Sequence, residues 1–340
     1  MKKAYSFDDV LLVPKYSDIE SRTQVDTSSA LDSMRTLKLP VVSSPMDTVT
    51  ERHMAISIGK SGGLGVIHRY NTPQEQAREV AASVSPNWFG PVGAAVGMTG
   101  DYIERAEMCN KAGAAVICVD VAHGHHSMME RCIKSLKDKL PEVHLMAGNV
   151  ATLEAFDALA SWGADSIRVG IGGGSICSTR LVAGHGMPTL QSIFECAQTS
   201  YDTKIIADGG IKTTGDMVKA LAAGADFVML GSMLAGTTET PGDILTKTNG
   251  KKYKVYRGMA SHAAQSNWRG KSSTPEGVST TVPYRGDVDL IIEDIIGGIR
   301  SGLSYSGCRS IKEFQGKAEF ILQTSAGQSE SGTHILWRNK

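Results

Sequence analysis

The chemistry in this chain is concentrated in one stretch, Gly170-Ile-Gly-Gly-Gly-Ser-Ile-Cys-Ser-Thr-Arg180, where four glycines precede a single cysteine flanked by hydroxyls. A thiolate is the nucleophilic form of cysteine, and a loop rich in free N–H donors stabilises it. Cys177 is therefore the candidate nucleophile. The other five cysteines, Cys109, Cys118, Cys132, Cys196 and Cys308, lack such a setting, form no CxxC pair and read as small buried apolar residues. Two further Gly-rich turns, Ala207-Asp-Gly-Gly-Ile211 and Leu230-Gly-Ser-Met233, each follow an apolar run. Glycine lets backbone amides approach an anion there, so both read as phosphate-binding turns, Ser232 adding a hydroxyl and Asp208 suiting ribose hydroxyls. The run Ala122-His-Gly-His-His126 does not match zinc-ligand spacing, and no Gly-x-Gly-x-x-Gly fingerprint stands in a strand–helix context.

These pieces need a scaffold that aims them at one point. Short apolar runs predict strands at Val41–Met46, Gly65–His68, Val92–Val96, Val116–Val121, His144–Ala147, Ser166–Val169, Lys204–Ala207 and Phe227–Leu230. Between them, amphipathic stretches such as Thr72–Ala82, Asp101–Ala112, Thr152–Trp162 and Thr214–Ala223 predict helices. A weak repeat places Gly113, Gly163 and Gly224 at a helix end just before a strand, where a left-handed residue turns the chain back. Eight such units fit a closed (β/α)8 barrel better than an open doubly wound sheet. The active end of a barrel lies at the strand C-termini, which here carry Ser44-Pro-Met-Asp47, His68-Arg69, Asp120, Gly148-Asn149, the Cys177 loop, Asp208-Gly-Gly210 and Gly231-Ser232. Residues 236–286 break the repeat and read as a flap excursion. Asp287–Leu303 predicts a closing helix, followed by a polar tail. Residues 1–340 thus read as one barrel domain.

Lys+Arg and Asp+Glu are equal at 35 each, so no global field favours nucleic acid or a membrane surface, and phosphate binding must be local. The N-terminus lacks the apolar core of a signal peptide, and no run reaches the roughly 18 apolar residues of a bilayer span. With scattered cysteines, a cytoplasmic setting with reduced thiols is the expectation.

Taken together, the motifs closely resemble the IMP dehydrogenase and GMP reductase family along nearly the whole chain. The resemblance runs from Tyr5-Ser-Phe-Asp-Asp-Val-Leu-Leu-Val-Pro14 through Ser44-Pro-Met-Asp-Thr-Val49, Gly62-Gly-Leu-Gly-Val-Ile-His68 and Met146-Ala-Gly-Asn-Val150. It continues through the Cys177 loop, Ala207-Asp-Gly-Gly210, Tyr256-Arg-Gly-Met259 and Pro275-Glu-Gly277. It implies that Cys177 attacks C2 of a purine mononucleotide, GMP or IMP, to form a covalent thioimidate. It implies that Ser175, Gly210, Gly231, Ser232 and Tyr256 hold the phosphate and Asp208 the ribose, that Gly258 and Met259 meet the base, and that Ser44 and Met46 also bind the substrate. Asp120, Asn149 and Arg168 would line the cofactor region, where NADPH or NAD binds. The carbonyls of Gly172, Gly174 and Cys177 match the potassium site of the dehydrogenases, and a homotetramer is implied.

Two features point to the reductase branch, in which Thr179 and Glu276 would relay a proton so that the 2-amino group leaves as ammonia. The regulatory (CBS) insertion common in the dehydrogenases is missing between His68 and Gly93. The flap also lacks the Asp-Arg-Tyr-Phe segment that activates water, running Ser261-His-Ala-Ala-Gln-Ser-Asn-Trp-Arg-Gly270 straight on to Glu276. Thr240-Pro-Gly-Asp243, Pro275-Glu-Gly277 and the tail around Lys317–Phe320 and Ser325–Glu330 look more like bacterial dehydrogenases, with Arg269 as a displaced catalytic arginine. Gly173 and Ser178 depart from both branches, which usually have Pro and Thr there.

Overall fold

The computed structural model describes residues 2–84, 90–270 and 273–332, the side chain of Arg269 excepted. Eight parallel strands close into a barrel: β1 (Val41–Ser43), β2 (Leu64–Ile67), β3 (Val92–Val96), β4 (Val116–Asp120), β5 (His144–Val150), β6 (Ser166–Val169), β7 (Lys204–Asp208) and β8 (Phe227–Leu230). Strand order follows the chain, and β8 pairs with β1 to complete the circle. Helices α1 (Arg52–Lys60), α2 (Pro73–Ser83), α3 (Tyr102–Lys111), α4 (Ser127–Lys139), α5 (Leu153–Trp162), α6 (Thr189–Cys196), α7 (Thr214–Ala222) and α8 (Val288–Tyr305) follow successive strands. The eight strands expected from the sequence are all present, and those at Val92–Val96, Ser166–Val169 and Phe227–Leu230 match to the residue. Gly113, Gly163 and Gly224 have φ of 107°, 111° and 115°, the left-handed turn that the repeat predicted. Strand β1 ends at Ser43 instead of reaching Met46, because Pro45 has no N–H to continue the ladder and Met46 accepts the turn bond from Val49. Strand β3 begins nine positions after α2 ends. No helix among the described residues is long and apolar enough to cross a membrane.

Two segments are more ordered than their composition suggested. The excursion after β8 contains β9 (Lys252–Arg257) and β10 (Ser279–Pro283), paired antiparallel, with a two-residue strand on the other edge of β9 and a flap helix at His262–Arg269. The expected polar tail is instead a helix at Ile311–Lys317, burying Ile311 and Phe314, followed by a strand at Phe320–Leu322. That strand pairs antiparallel with Val10–Leu12. The apolar positions are too few and too short in run to stand out, yet Ile311 and Phe314 sit three apart on one helical face.

The barrel interior explains which residues face the two ends. Side chains alternate along each strand, and Val42, Val66, Ala95, Cys118, Met146, Ile206 and Met229 form one buried cluster with Leu31 and Leu37. The last two come from a small hairpin whose strands are Ser29–Ala30 and Thr36–Leu37. The alternation in β6 is different, because Ser166 and Arg168, two positions apart, are both polar. Each therefore needs a partner. At the start of β6, Ser166 Oγ lies 2.8 Å from His144 Nε2, and His144 Nδ1 lies 3.0 Å from Asp32 Oδ2. Although Asp–His–Ser is the order of an activated serine, both Ser166 and the His144 ring are sealed from solvent. The chain of bonds instead fastens the hairpin to the barrel.

Burial pulls the His144 pKa below the ordinary imidazole value, outweighing the nearby carboxylates of Asp165 and Asp32. The native state thus holds a neutral ring and binds fewer protons than the unfolded chain. Its contribution to stability is complete above the unfolded value of about 6.5 and shrinks as pH falls below it. Thermal midpoints measured from pH 7.5 down to 5.5, about one unit either side of that value, should fall more steeply for the wild type than for His144→Gln. Parallel curves would mean that His144 is not buried as a neutral base.

Candidate active site

The C-terminal ends of the strands open into one cleft of about 660 Å³. It contains every candidate residue named from the sequence except Arg269, whose side chain lies outside the described residues. The cleft has a charged floor, the Cys177 loop on one side and a glycine-rich end closed by the flap.

The floor is built on Arg168, the second polar residue of β6, whose side chain is 7% exposed. Its guanidinium reaches Asp120 Oδ1 at 2.5 Å and Asp208 Oδ2 at 2.9 Å, so the strand-end carboxylates of β4 and β7 meet on one cation. Burial alone would pull the arginine down, but Asp120 and Asp208 outweigh it and hold its pKa well above the ordinary value. Asn149 donates to the same Asp208 oxygen at 2.8 Å and to Gly170 O at 2.8 Å. Arg69, at the end of β2, donates to Asp120 O at 3.1 Å and stacks over Tyr70. Its Nε lies 3.8 Å from Asp120 Oδ2, beyond hydrogen-bond reach, and that atom, Arg168 Nε and Asn149 Oδ1 are buried without a hydrogen-bond partner. Buried polar atoms of this kind suit a polar ligand in the cleft. The sequence placed Arg69 at a strand end but gave it no role. Its neighbour His68 turns away to bond Glu51 at 2.9 Å.

The loop after β6 passes so close to the turn after β7 that only glycine fits. A Cβ on Gly170, whose φ is 146°, would lie 1.9 Å from Asp208 O. Of the six cysteines, Cys177 alone is exposed. Its Sγ is 3.2 Å from Thr179 Oγ1. Burial pushes the thiols of Cys109, Cys118, Cys132 and Cys196 up to about 12, which leaves them inert. Glu276, 99 positions later, is brought alongside by backbone bonds. Ser178 N donates to Glu276 O at 2.9 Å, Val278 N donates to Ile176 O at 3.0 Å, and Cys177 pairs with Gly277 as an isolated bridge. The Cys177 loop and the flap thus share a short strand pairing.

At the far end, Gly209, Gly210, Gly231 and Ser232 line the cleft with Ser44, Met46, Gly258 and Met259. Tyr256 is buried there with its hydroxyl 3.4 Å from Ser175 Oγ, and burial raises its pKa. The flap is clamped to the barrel by an ion pair that the sequence did not reveal. Arg257 Nε reaches both oxygens of Asp47 at 3.0 and 3.2 Å, and its Nη2 reaches Oδ2 at 2.5 Å. Asp47 N also donates to Met259 Sδ at 3.5 Å. Near Arg69, Trp268 of the flap helix stands edge-to-face against Tyr70, with ring centroids 5.9 Å apart. Gly172 and Gly174 lie in the cleft wall, Gly174 O accepts from Cys177 N at 3.1 Å, and the Arg180 side chain packs against Gly172. The His run is dispersed: His126 caps α4 and His125 faces Trp162.

The profile described as IMP dehydrogenase / GMP reductase domain matches residues 4–334. The inosine-5'-monophosphate dehydrogenase of Nitrosopumilus maritimus is 35% identical over 98% of each chain, and the GMP reductase of Leishmania major is 32% identical over 99% of this chain and 98% of its own. Those alignments run over 469 and 481 positions, so these relatives carry residues that the present 340 lack. Among solved structures, a GMP reductase of Trypanosoma brucei with a cysteine-to-alanine substitution, in complex with guanosine 5'-monophosphate, superposes with a TM-score of 0.92. It is 31% identical over 98% of both chains.

Removing Arg168 tests the floor. With Arg168→Met, Asp208 loses its counter-charge and Asp120 keeps only Arg69, whose Nε is 3.8 Å from Oδ2, and breaking a buried pair in this way costs roughly 3–5 kcal/mol. Urea unfolding at neutral pH should show a loss of that order, shrinking as the carboxylates are protonated at low pH. A loss below about 1 kcal/mol, the worth of an ordinary surface pair, would refute the assignment.

Proposed function

The chain belongs to the IMP dehydrogenase / GMP reductase family of oxidoreductases, and within it we propose that it is a GMP reductase, converting GMP to IMP and ammonia with NADPH or NADH as reductant. The observation that carries this reading is the backbone pairing of the Cys177 loop with the flap, which sets Glu276 in the same cleft wall as Cys177 and Thr179. A purine C2 is a poor electrophile, so a covalent step divides one hard displacement into two easier ones.

In this reading the phosphate lies on the amides of Gly210, Gly231 and Ser232 with the hydroxyls of Ser175 and Tyr256. Asp208 meets the ribose, and Ser44, Met46, Gly258 and Met259 enclose the base. The Cys177 thiolate adds to C2, and the C2=N3 π pair moves onto N3. As that pair re-forms the C2=N3 bond, a proton relayed by Glu276 and Thr179 reaches the 2-amino group, which leaves as ammonia and yields a thioimidate. Reduced nicotinamide, when bound, supplies the hydride for C2. Collapse of the adduct then returns the thiolate and releases IMP. The cleft beyond Cys177 suits that cofactor, since Asp120, Asn149, Arg168 and Arg69 offer polar atoms there and Trp268 with Tyr70 an aromatic wall.

Potassium on the carbonyls of Gly172, Gly174 and Cys177 belongs to the same reading. Carbonyl oxygens suit it, although Arg180 already brings a positive charge to that loop. A homotetramer is supported by Leu181, 89% exposed just beyond the nucleophile loop, and a cytoplasmic setting by six free cysteines. IMP dehydrogenation is the second reading, favoured by the 35% identity to an archaeal dehydrogenase and by Arg269 at the end of the flap helix.

A nicotinamide absorbance assay run in both directions decides between them. Oxidation of NADPH or NADH by GMP with release of ammonia is the expected outcome; NADH formed from IMP and NAD, with xanthosine monophosphate, would transfer the chain to the dehydrogenases. In the active direction, Cys177→Ala should lower kcat by more than about a thousandfold while nucleotide affinity stays within a few-fold. Full turnover in that variant would end the covalent mechanism. Glu276→Gln should lower kcat by about 10²–10⁴-fold, the range of a lost acid–base group. Unchanged turnover would remove Glu276 from the relay.

A further inference from the structure

Both ends of the flap converge on one short loop, Gly236–Thr240, which closely follows the Gly231–Ser232 turn. Arg285 N donates to Gly236 O at 2.9 Å, Thr238 N donates to Gly286 O at 2.9 Å, and Glu239 Oε2 accepts from Val288 N at 2.9 Å. Inside this crossing lies Lys254, which is only 2% exposed. Lysine is almost never so buried without a partner, and the usual partner is a carboxylate. Here the ammonium instead touches three backbone carbonyls: Thr237 O at 3.2 Å, Thr238 O at 3.4 Å and Thr240 O, the closest. An ammonium has three donors and no acceptor, so three carbonyls satisfy it. Ringed carbonyl oxygens are also how proteins hold a monovalent metal ion. Burial lowers the lysine pKa, with Glu239 and Asp243 opposing, so the group is desolvated yet remains in the field of two carboxylates.

The position of Lys254 in β9 gives this cage a consequence. Side chains alternate along a strand, and in β9 the buried positions are Lys254 and Tyr256, with Val255 between them exposed. Tyr256 reaches the Ser175 hydroxyl at the nucleotide end of the cleft, close enough to Gly231 that a Cβ there would lie 3.2 Å from the tyrosine hydroxyl. We infer that Lys254 acts as a built-in monovalent cation, drawing the three carbonyls of the flap root together and so fixing where Tyr256 enters the nucleotide site. Lys254 is a positioning residue: it does not itself line the cleft. The inference rests on the reading of that end as the phosphate site.

The test is calorimetric titration of GMP and of IMP into the full chain and into Lys254→Ala and Lys254→Met, with and without propylammonium. Both variants should bind the nucleotide at least about tenfold more weakly, equivalent to about 1.4 kcal/mol. Propylammonium should restore most of the loss in Lys254→Ala, whose vacated channel admits it, and none in Lys254→Met, whose side chain fills that channel. Folded variants that bind within about twofold of the wild type, or a Lys254→Ala loss that propylammonium leaves untouched, overturn the inference. If circular dichroism shows Lys254→Ala unfolded, Lys254→Gln, which can still donate to one or two carbonyls, should show an intermediate loss; wild-type affinity there would equally overturn it. Failure of the wild type to bind either nucleotide would instead overturn the reading of the site on which the inference stands.

Discussion

A single guanidinium holds the cleft in shape. Two aspartates and an asparagine at the ends of β4, β7 and β5 converge in the barrel mouth, where like charges would push the strand ends apart. Arg168 enters between them from β6 and binds both carboxylates. Taking three charges out of water costs several kcal/mol for each ion, so this cluster adds little to net stability. Its effect is on geometry, because each carboxylate is held in one orientation and Asn149 is fixed against the same oxygen. The glycine-only approach of Gly170 to the Asp208 backbone carbonyl lies beside this cluster, at the start of the loop that carries Cys177.

Two-residue alternation is what allows the arrangement. Position 168 faces the mouth, and position 166, two residues earlier on the same strand face, lies deeper in the barrel interior, where β4 and β7 carry apolar Cys118 and Ile206 but β6 carries a second polar residue. The protein satisfies Ser166 by the bonded path through His144 to Asp32. The lower layer of β6 is thereby sealed by a hairpin while the upper layer faces the cleft. The flap adds the other wall, joined through the backbone pairing of Cys177 with Gly277 and the Asp47–Arg257 ion pair. The first of these fixes Glu276 relative to the thiol. The second fixes Met259 relative to the turn after β1, since Asp47 holds both Arg257 and the methionine sulfur.

The barrel was legible because its signals are local. Continuous apolar runs, amphipathic stretches and a glycine ahead of a strand each act within about ten residues, and the strand ends then follow from the fold. Cys177 was legible for the same reason, as the one cysteine in a loop that keeps it from burial. What could not be read were pairings set by register between distant segments: Asp47 with Arg257, Lys254 with the Thr237–Thr240 carbonyls, and Asp32 with His144 and Ser166. None has a periodicity or a spacing that marks it. The role of Arg69 was hidden differently, since a residue at a strand end faces the mouth or the outer helices according to pleat phase, and the pair His68-Arg69 offers both.

The two buried cations solve one problem in different ways. Arg168 is planar, always charged and able to bind two carboxylates at once, which suits a floor whose anions must not move. Lys254 is a compact charge with three donors, which suits carbonyl groups arriving from a loop that turns around it. Exchanging them would fail in both places, because an ammonium cannot fork to two carboxylates and a guanidinium is too broad for a carbonyl ring. Each sits where separate chain segments must meet within a few tenths of an ångström, and each gathers them with fixed charge where apolar packing would not define direction. The two clusters share no residue, so the floor and the flap root are set by separate contacts.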